Sequence, residues 1–439
     1  MSKRYAYYRT SDGRPYRGTD GKCAPNHILS EIGKTASVDA NGQVSWPEID
    51  AITKFRVALR YAFSVVGLDG AELNETDTWH IAWQAIVASV KSAPSKPVDP
   101  VKLIGRINDS AAKFFRAPLA KYVLVSSLSI AELPAKRIKV RDCVVASLKE
   151  RGKRFPLPEA LSAPVHRSAI SNHIENTKYR LVRVSVKGRS IHDAADRALN
   201  SLHLLRALWS LSTARGGFWH MLGWIPSGEP LGVIHIGPIH TLHLPDGKLA
   251  ADNLYWCEPD FTEDQAIFRN AKGWTEIEGI RRRAMKRLGA LQYRSEMEAL
   301  LIRYVRALDQ LDMDVAFLQM WSILEKITGT IGANYDKTIK RTIWPLPEET
   351  RHSDQDILQL IRCRRNQYVH SGRTSDASEQ AAYLIKSFVE PHIRILLLNV
   401  LGVRSLEEYA AFLSLPTKRN MLLGRKQRLA KAIRILYPE

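Results

Sequence analysis

Near Arg281 the hydrophobic pattern of this chain changes period, and that change limits the fold more than any other feature. Upstream, short strand-type runs alternate with helical stretches. Downstream, strand-type runs vanish and apolar residues recur at three and four to the last residues. That spacing predicts helices. The expected helices are Met297–Asp309, Asp314–Thr328, Asp354–Val369, Ser378–Val400, Leu406–Leu413 and Arg419–Leu436. Asp312 or Asp314 is placed to cap the second and Gly329 to end it. Pro345 and Pro347 mark a loop before the third. Ser405 with Glu408 forms a capping box for the fifth. Pro391 predicts a kink or a split in the fourth. Residues 291–439 therefore read as an all-helical unit.

The region before it is mixed. Tyr122–Ile130, Tyr179–Val186 and Leu231–Ile236 are strand candidates, rich in β-branched residues. Between the last two, Leu199, Leu202, Leu205, Leu208 and Leu211 give a helix one apolar face. Ser190 and Asp193 make a capping-box-like start, and Gly216-Gly217 is the expected stop. Residues 101–290 thus form a mixed α/β region. Residues 1–100 are partly helical. Trp46-Pro47 opens one helix that carries Ile52, Phe55, Leu59 and Phe63, and a second runs from Asp77 to about Val90. Trp79 and Trp83 of the second are expected in the core. Three prolines between Ser92 and Pro100 mark a linker. The fold class is α+β and multidomain, with the helical bundle last.

The 439 residues include four cysteines, Cys23, Cys143, Cys257 and Cys363, with no CxxC pair. That excludes a paired-cysteine zinc site and fits a reducing cytoplasm. The start lacks an apolar signal region, and the most apolar stretch, around Ile393–Val403, is too short to cross a bilayer. A soluble protein with no membrane partner is expected. The net charge of +19 points to a polyanionic partner, with nucleic acid first.

No glycine-rich phosphate loop and no G-x-S-x-G occurs. His235, His240 and His243 sit close together, as metal ligands on adjacent strands can, but the cluster holds no carboxylate. No metal and no cofactor is expected. The remaining cluster is Arg362, Arg364, Arg365, Asn366 and His370, at the end of the helix from Asp354. Arg-to-His spacing alone means little, because Arg167–His173, Arg197–His203 and Arg215–His220 repeat it. Here Ser371-Gly372 supplies a helix stop, and the neighbouring arginines concentrate positive charge.

With those residues in view, Arg365-Asn366-Gln367-Tyr368-Val369-His370 resembles the R-N-x-x-x-H motif of the HEPN superfamily. Asp314–Gly329 is similar to the first core helix of Apea-like HEPN domains, with Glu325 at the acidic position near its end. Ser405–Pro416 is similar to the tail of that group. The resemblance spans about residues 295–439, and it implies that the mixed region at 101–290 senses or regulates. It implies a metal-independent endoribonuclease working as a homodimer or higher homo-oligomer, with Arg and His of both protomers in one cleft. It also implies a toxin or an antiviral, abortive-infection effector, with a possible antitoxin or trigger protein. Arg365 and His370 become the catalytic pair and Asn366 their polar neighbour. Arg362, Arg364 and Glu325 are expected in support, Glu325 through an ion pair with a motif arginine.

The chemistry of these side chains agrees. Metal-free RNA cleavage needs a proton acceptor for the ribose 2′-hydroxyl, a proton donor for the leaving oxygen and positive charge at the phosphorane. Imidazole and guanidinium supply these. Five residues along a straight helix turn the side chains about 140° apart. Hence either the last turn unwinds at His370 or a second copy completes the site. Basic runs expected to hold RNA include Arg281, Arg282, Arg283, Lys286 and Arg287, and in the last helix Arg425, Lys426 and Arg428. Ala135–Arg141 and Lys149–Arg154 are further candidates. The alternative is a non-catalytic HEPN module that dimerises or binds RNA or nucleotide, with function in the N-terminal region.

Overall fold

The computed structural model describes residues 4–18, 20–47, 49–67, 70, 72–152, 154–162, 168–213, 229–258, 261, 263–269, 273–330, 334–371 and 378–436. Among them are fourteen α-helices and several sheets, a mixed α and β architecture that is about 54% helical.

The first hydrophobic core gathers residues from Ala6 to Ala111. Strands β1 (Ala6–Arg9), β2 (Pro15–Tyr16) and β5 (Phe63–Val65) make a small antiparallel sheet, and β3 (Ser37–Val38) with β4 (Val44–Ser45) a hairpin. Around them pack α1 (Asn26–Thr35), α2 (Ile49–Leu59), α3 (Glu75–Ser92) and α4 (Pro100–Arg116). Phe63, expected at the end of α2, is instead a buried strand residue pairing with Tyr8. Its helical spacing from Leu59 is an accident of a turn at Arg60–Ala62. Trp79 is buried, as expected, and Trp83 packs between Trp46 and Trp79. The Pro-rich stretch ends where Asp99 caps α4. Leu103, Ile104, Ile107 and Ala111 of that helix close the same core.

The second core runs from Leu124 to Leu413 and joins a sheet to the helical region. The sheet is antiparallel throughout, in the order β11 (Trp256–Cys257), β10 (Ile239–His243), β6 (Ala120–Leu128), β9 (Arg180–Gly188), β8 (Cys143–Ser147), β7 (Ile138–Val140). Alternate residues of β9, Val182, Val184 and Val186, turn into the core, as the two-residue period of a strand requires. The strand expected at Leu231–Ile236 is irregular backbone with one bridge at Ile236. The ladder strand begins at Ile239. The Pro238 that precedes it lacks an N–H for the ladder. A short α5 (Ser168–Asn176) lies before β9.

Helix α6 (Ile191–Thr213) has the expected cap: Asp193 N–H donates to Ser190 Oγ at 2.9 Å and Arg189 N–H to the Asp193 carboxylate at 2.8 Å. The expected stop at Gly216-Gly217 lies outside the described residues. From Ser201 to Leu211 every residue of α6 is buried. The reason is its position, with the sheet on one side and the helical layer on the other. A helix covered all round buries its polar residues too. Arg206, wholly buried, is matched by Asp309 and by the Ile234 carbonyl at 2.9 Å.

The helical region holds α7 (Trp274–Ala290), α8 (Arg294–Leu308), α9 (Met313–Thr328), α10 (Tyr335–Thr342), α11 (Arg351–Ser371), α12 (Ser378–Leu398), α13 (Leu406–Phe412) and α14 (Arg419–Leu436). In α9, Asp312 accepts from the N–H groups of Asp314 and Val315. Ala316, Phe317, Met320, Trp321, Leu324 and Ile327 bury one face. Gly329 ends it with φ +61, and a side chain there would press on Ala410 at 3.0 Å. Helix α12 continues through Pro391 and is not split. The short α10 was hidden in the sequence, where only the following prolines gave a signal. Among the described residues, no helix is long and apolar enough to cross a membrane.

Candidate functional site

Helix α11 places the arginine cluster on the side facing α9, α10 and the start of α12, and the cluster divides three ways. Arg362 gives Nη1–H to Asp336 at 2.7 Å and to Gln359 at 3.3 Å. Arg364 gives Nη2–H to Asp314 at 2.6 Å and to Ser378 Oγ at 2.7 Å, while Ser378 donates to the other oxygen of Asp314 at 3.0 Å. Asp314 stands in the first turn of α9, where a carboxylate also complements the helix dipole. Both arginines are thus neutralised by carboxylates of neighbouring helices.

Arg365 differs. Its guanidinium lies 5.2 Å from the centre of the Tyr335 ring, and among the described residues its Nη1 reaches only Asn366 Oδ1, at 3.5 Å. Its Nε, like that of Arg364, is buried with no hydrogen-bond partner among the described residues. No carboxylate pairs with it among the described residues. The Tyr335 ring carries Arg362 as well, at 5.3 Å. Tyr335 therefore holds two cations by its face, which favours them electrostatically. Trp321 packs against the same ring at 6.2 Å.

The other expected residues separate in the same way. Glu325 forms no ion pair with a motif arginine. Its carboxylate accepts the Trp321 indole N–H at 2.9 Å, one helical turn away, and so braces the tryptophan beneath Tyr335. The His370 backbone belongs to α11, which runs unbroken to Ser371, but its side chain lies outside the described residues. Gly372 lies outside them as well.

Of the basic residues expected to meet RNA, Arg281 is turned inward. It is 5% exposed and forks onto Glu278, with Nη2 at 2.5 Å from the carboxylate. Helix spacing explains this, since Arg281 shares the inner face of α7 with Ile277, Ala284 and Leu288. Arg282, Arg283, Lys286 and Arg287 are exposed on the outer face. Arg425, Lys426 and Arg428 are exposed on α14, a helix with no buried residue. Arg141, in another basic run, pairs with Glu298 at 3.1 Å.

The three clustered histidines are held apart. His235 Nδ1 lies 3.3 Å from Asp309. His240 lies between Ser126 Oγ at 2.9 Å and Glu258 at 3.2 Å. His243 sits between Thr241 Oγ1 and the Gly247 carbonyl, with burial pulling its pKa down to about 4. Three residues along β10 place His240 and His243 on opposite faces. Among the described residues, no group of three or more His, Cys, Asp or Glu could hold a metal ion.

Compared with known proteins, the chain matches no family model, no curated protein and no solved structure.

Sequence reading missed Tyr335, Asp314, Asp336 and Ser378 as the groups that sort the arginines. Asp314 carried a signal, an acid in the first turn of a buried helix, but it was equally a capping residue. The ring of Tyr335 carried none, because nothing local ties it to α11.

Proposed function

We propose that this chain is a metal-independent endoribonuclease of the HEPN type, acting as a homodimer through Arg365 and His370. The observation that carries the reading is the state of Arg365. Of the three arginines at the end of α11, the two outside the motif are matched by Asp336 and Asp314, and the motif arginine has no carboxylate among the described residues. A guanidinium left unmatched beside two neutralised ones is the group available to a phosphate.

The chemistry follows from the side chains. In the reaction, the 2′-hydroxyl of a ribose attacks the adjacent phosphorus and the 5′-oxygen leaves. Arg365 stabilises the charge on the phosphorane, where electrostatic help counts most. His370 moves the proton. Asn366 fixes the Arg365 fork through its side-chain oxygen. Arg362, Arg364 and Glu325 hold the scaffold. The exposed faces of α7 and α14 supply sequence-independent attraction for the RNA backbone.

The unbroken course of α11 supports the dimer. With no unwinding at His370, Arg365 and His370 leave one helix about 140° apart. A second copy related by a two-fold axis brings the missing partner.

The test is cleavage of a labelled RNA by folded Arg365→Ala and His370→Ala proteins. Each loses cleavage and keeps RNA binding. Wild-type cleavage rates in both variants would defeat the proposal.

A further inference from the structure

Between the sheet and the helical layer lies a cleft of about 1100 Å³, lined by α6, α8, α9, the ends of β10 and β11 and the loops beside them. It is remote from the arginine cluster in role, and no part of the cleavage chemistry uses it. Its floor is a closed polar network, with His203 and Asp309 on Arg206, His235 on Asp309 and His240 on Glu258. Burial, aided by the arginines, drives the His203 pKa down to about 3, so this imidazole is neutral.

The walls are different. Asp196 and Asn200 on α6 and Gln319 on α9 are half-buried and have no hydrogen-bond partner among the described residues. Burial and the nearby Asp77 and Asp193 raise the Asp196 pKa to about 6. On α8, Arg306 is exposed and makes no side-chain hydrogen bond or ion pair among the described residues, its charge acting at longer range on Asp196, and Arg303 gives one N–H to Ser322 at 3.3 Å. Trp256 is half-buried in the wall, edge-on to His192. Converging polar groups without partners, in a concave site between two layers, are groups that a ligand satisfies.

The combination narrows the ligand. A simple anion would use the two arginines and leave the indole and amides idle. A neutral sugar would leave the arginines idle. A planar ring with hydroxyls and phosphates engages all of them, and the +19 charge of the chain draws such anions in. We infer that the cleft binds a nucleoside phosphate, with the phosphates on Arg303 and Arg306, the base against Trp256, and its edge and ribose on Asp196, Asn200 and Gln319. Helix α9 lines the cleft with Leu318, Gln319 and Ser322 and also carries Asp314, which grips Arg364. Helix α9 is thus common to the cleft and to the anchor of α11.

Isothermal titration of the full-length protein with ATP, GTP, CTP and UTP, each alone, tests this. At least one binds at concentrations below about 1 mM. Arg306→Ala, which removes an exposed group with no hydrogen bond or ion pair among the described residues, weakens it about tenfold or more, and Trp256→Leu weakens it about tenfold. Arg365→Ala leaves it unchanged. The inference is overturned if none of the four binds, if tripolyphosphate binds as tightly as the best nucleotide, or if affinity follows Arg365 instead of Arg306. Binding is read without RNA cleavage, so the two proposals fail separately.

Discussion

Replacing Asp314 by alanine separates the structural arginine from the chemical one. Arg364 and Asp314 meet at 2.6 Å, with side chains 15% and 4% exposed, and Ser378 ties both together. Removing the carboxylate strands a guanidinium that is nearly out of water. Breaking a buried pair costs about 3–5 kcal/mol, and the residual exposure of Arg364 places this one near the lower figure, about 3 kcal/mol. Loss of a first-turn acid adds about 0.3–1 kcal/mol. The sum is about 3.3–4 kcal/mol, and at about 2–4 °C per kcal/mol the melting temperature falls by about 7–16 °C.

The contrast is Arg365→Ala. That guanidinium has no carboxylate to abandon among the described residues, so stability changes by less than about 1 kcal/mol. Cleavage, however, falls by about a hundredfold to a thousandfold, the scale for losing one preorganised charge at a transition state. Differential scanning calorimetry and single-turnover RNA cleavage on the same samples measure both. The reasoning is refuted if Asp314→Ala melts within about 1 °C of wild type, or if folded Arg364→Ala and Arg365→Ala proteins lose equal activity without any difference in melting.

Three further outcomes follow from other parts of the molecule. Cleavage persists in excess EDTA, measured on the labelled RNA, since the proposed proton transfers use side chains alone. Buried His392 donates to the Thr342 carbonyl at 2.9 Å and accepts from Tyr409 at 2.8 Å, and burial lowers its pKa to about 4. The unfolded chain protonates at about 6.5, so this stability is fully present above that pH and is lost as pH falls toward 4. A His392→Gln protein shows a flatter acid limb in melting temperature against pH. Charge reversal of Arg283 and Lys286, both on the exposed face of α7, weakens RNA binding and reduces its salt dependence by about two phosphate contacts' worth, read from binding isotherms at several salt concentrations.

The sequence was most legible where one physical rule acted alone. Ser190 with Asp193, Ser405 with Glu408 and Asp312 before α9 announced helix starts because a short polar side chain before an apolar period has few other uses. Strands β6 and β9 were visible as two apolar, β-branched runs, but their nine-residue pairing was not. Legibility failed where tertiary neighbours decided. Arg281 belongs to a run of three arginines, and only the rotation of α7 against the core turns it onto Glu278. Leu231–Ile236 has strand composition, but its apolar residues fill space beside α6 without joining the ladder. At the candidate site, the motif was visible and its electrostatics were not. Asp336 is 26 residues from Arg362, and Asp314 is 50 from Arg364. The cleft was invisible altogether, because its walls come from residues 179 to 322 and share no local pattern.

The geometry of α11 makes a last prediction that distinguishes a site within one chain from a site between two. Arg365 and His370 belong to one unbroken helix and diverge by about 140°. If each site takes Arg365 from one protomer and His370 from the other, a dimer has two sites of complementary parentage. Arg365→Ala and His370→Ala homodimers then have no complete site. A mixed dimer has one dead site, lacking both groups, and one intact site with both. Random mixing makes half the dimers mixed, so co-expression restores about a quarter of wild-type cleavage. Sites built within single chains restore nothing, because every chain carries a defect. Differently tagged variants, purified in tandem to isolate the mixed dimer, give about half of wild-type activity per dimer if the site is shared. No activity in a purified mixed dimer refutes the shared site and requires the end of α11 to bend when RNA binds.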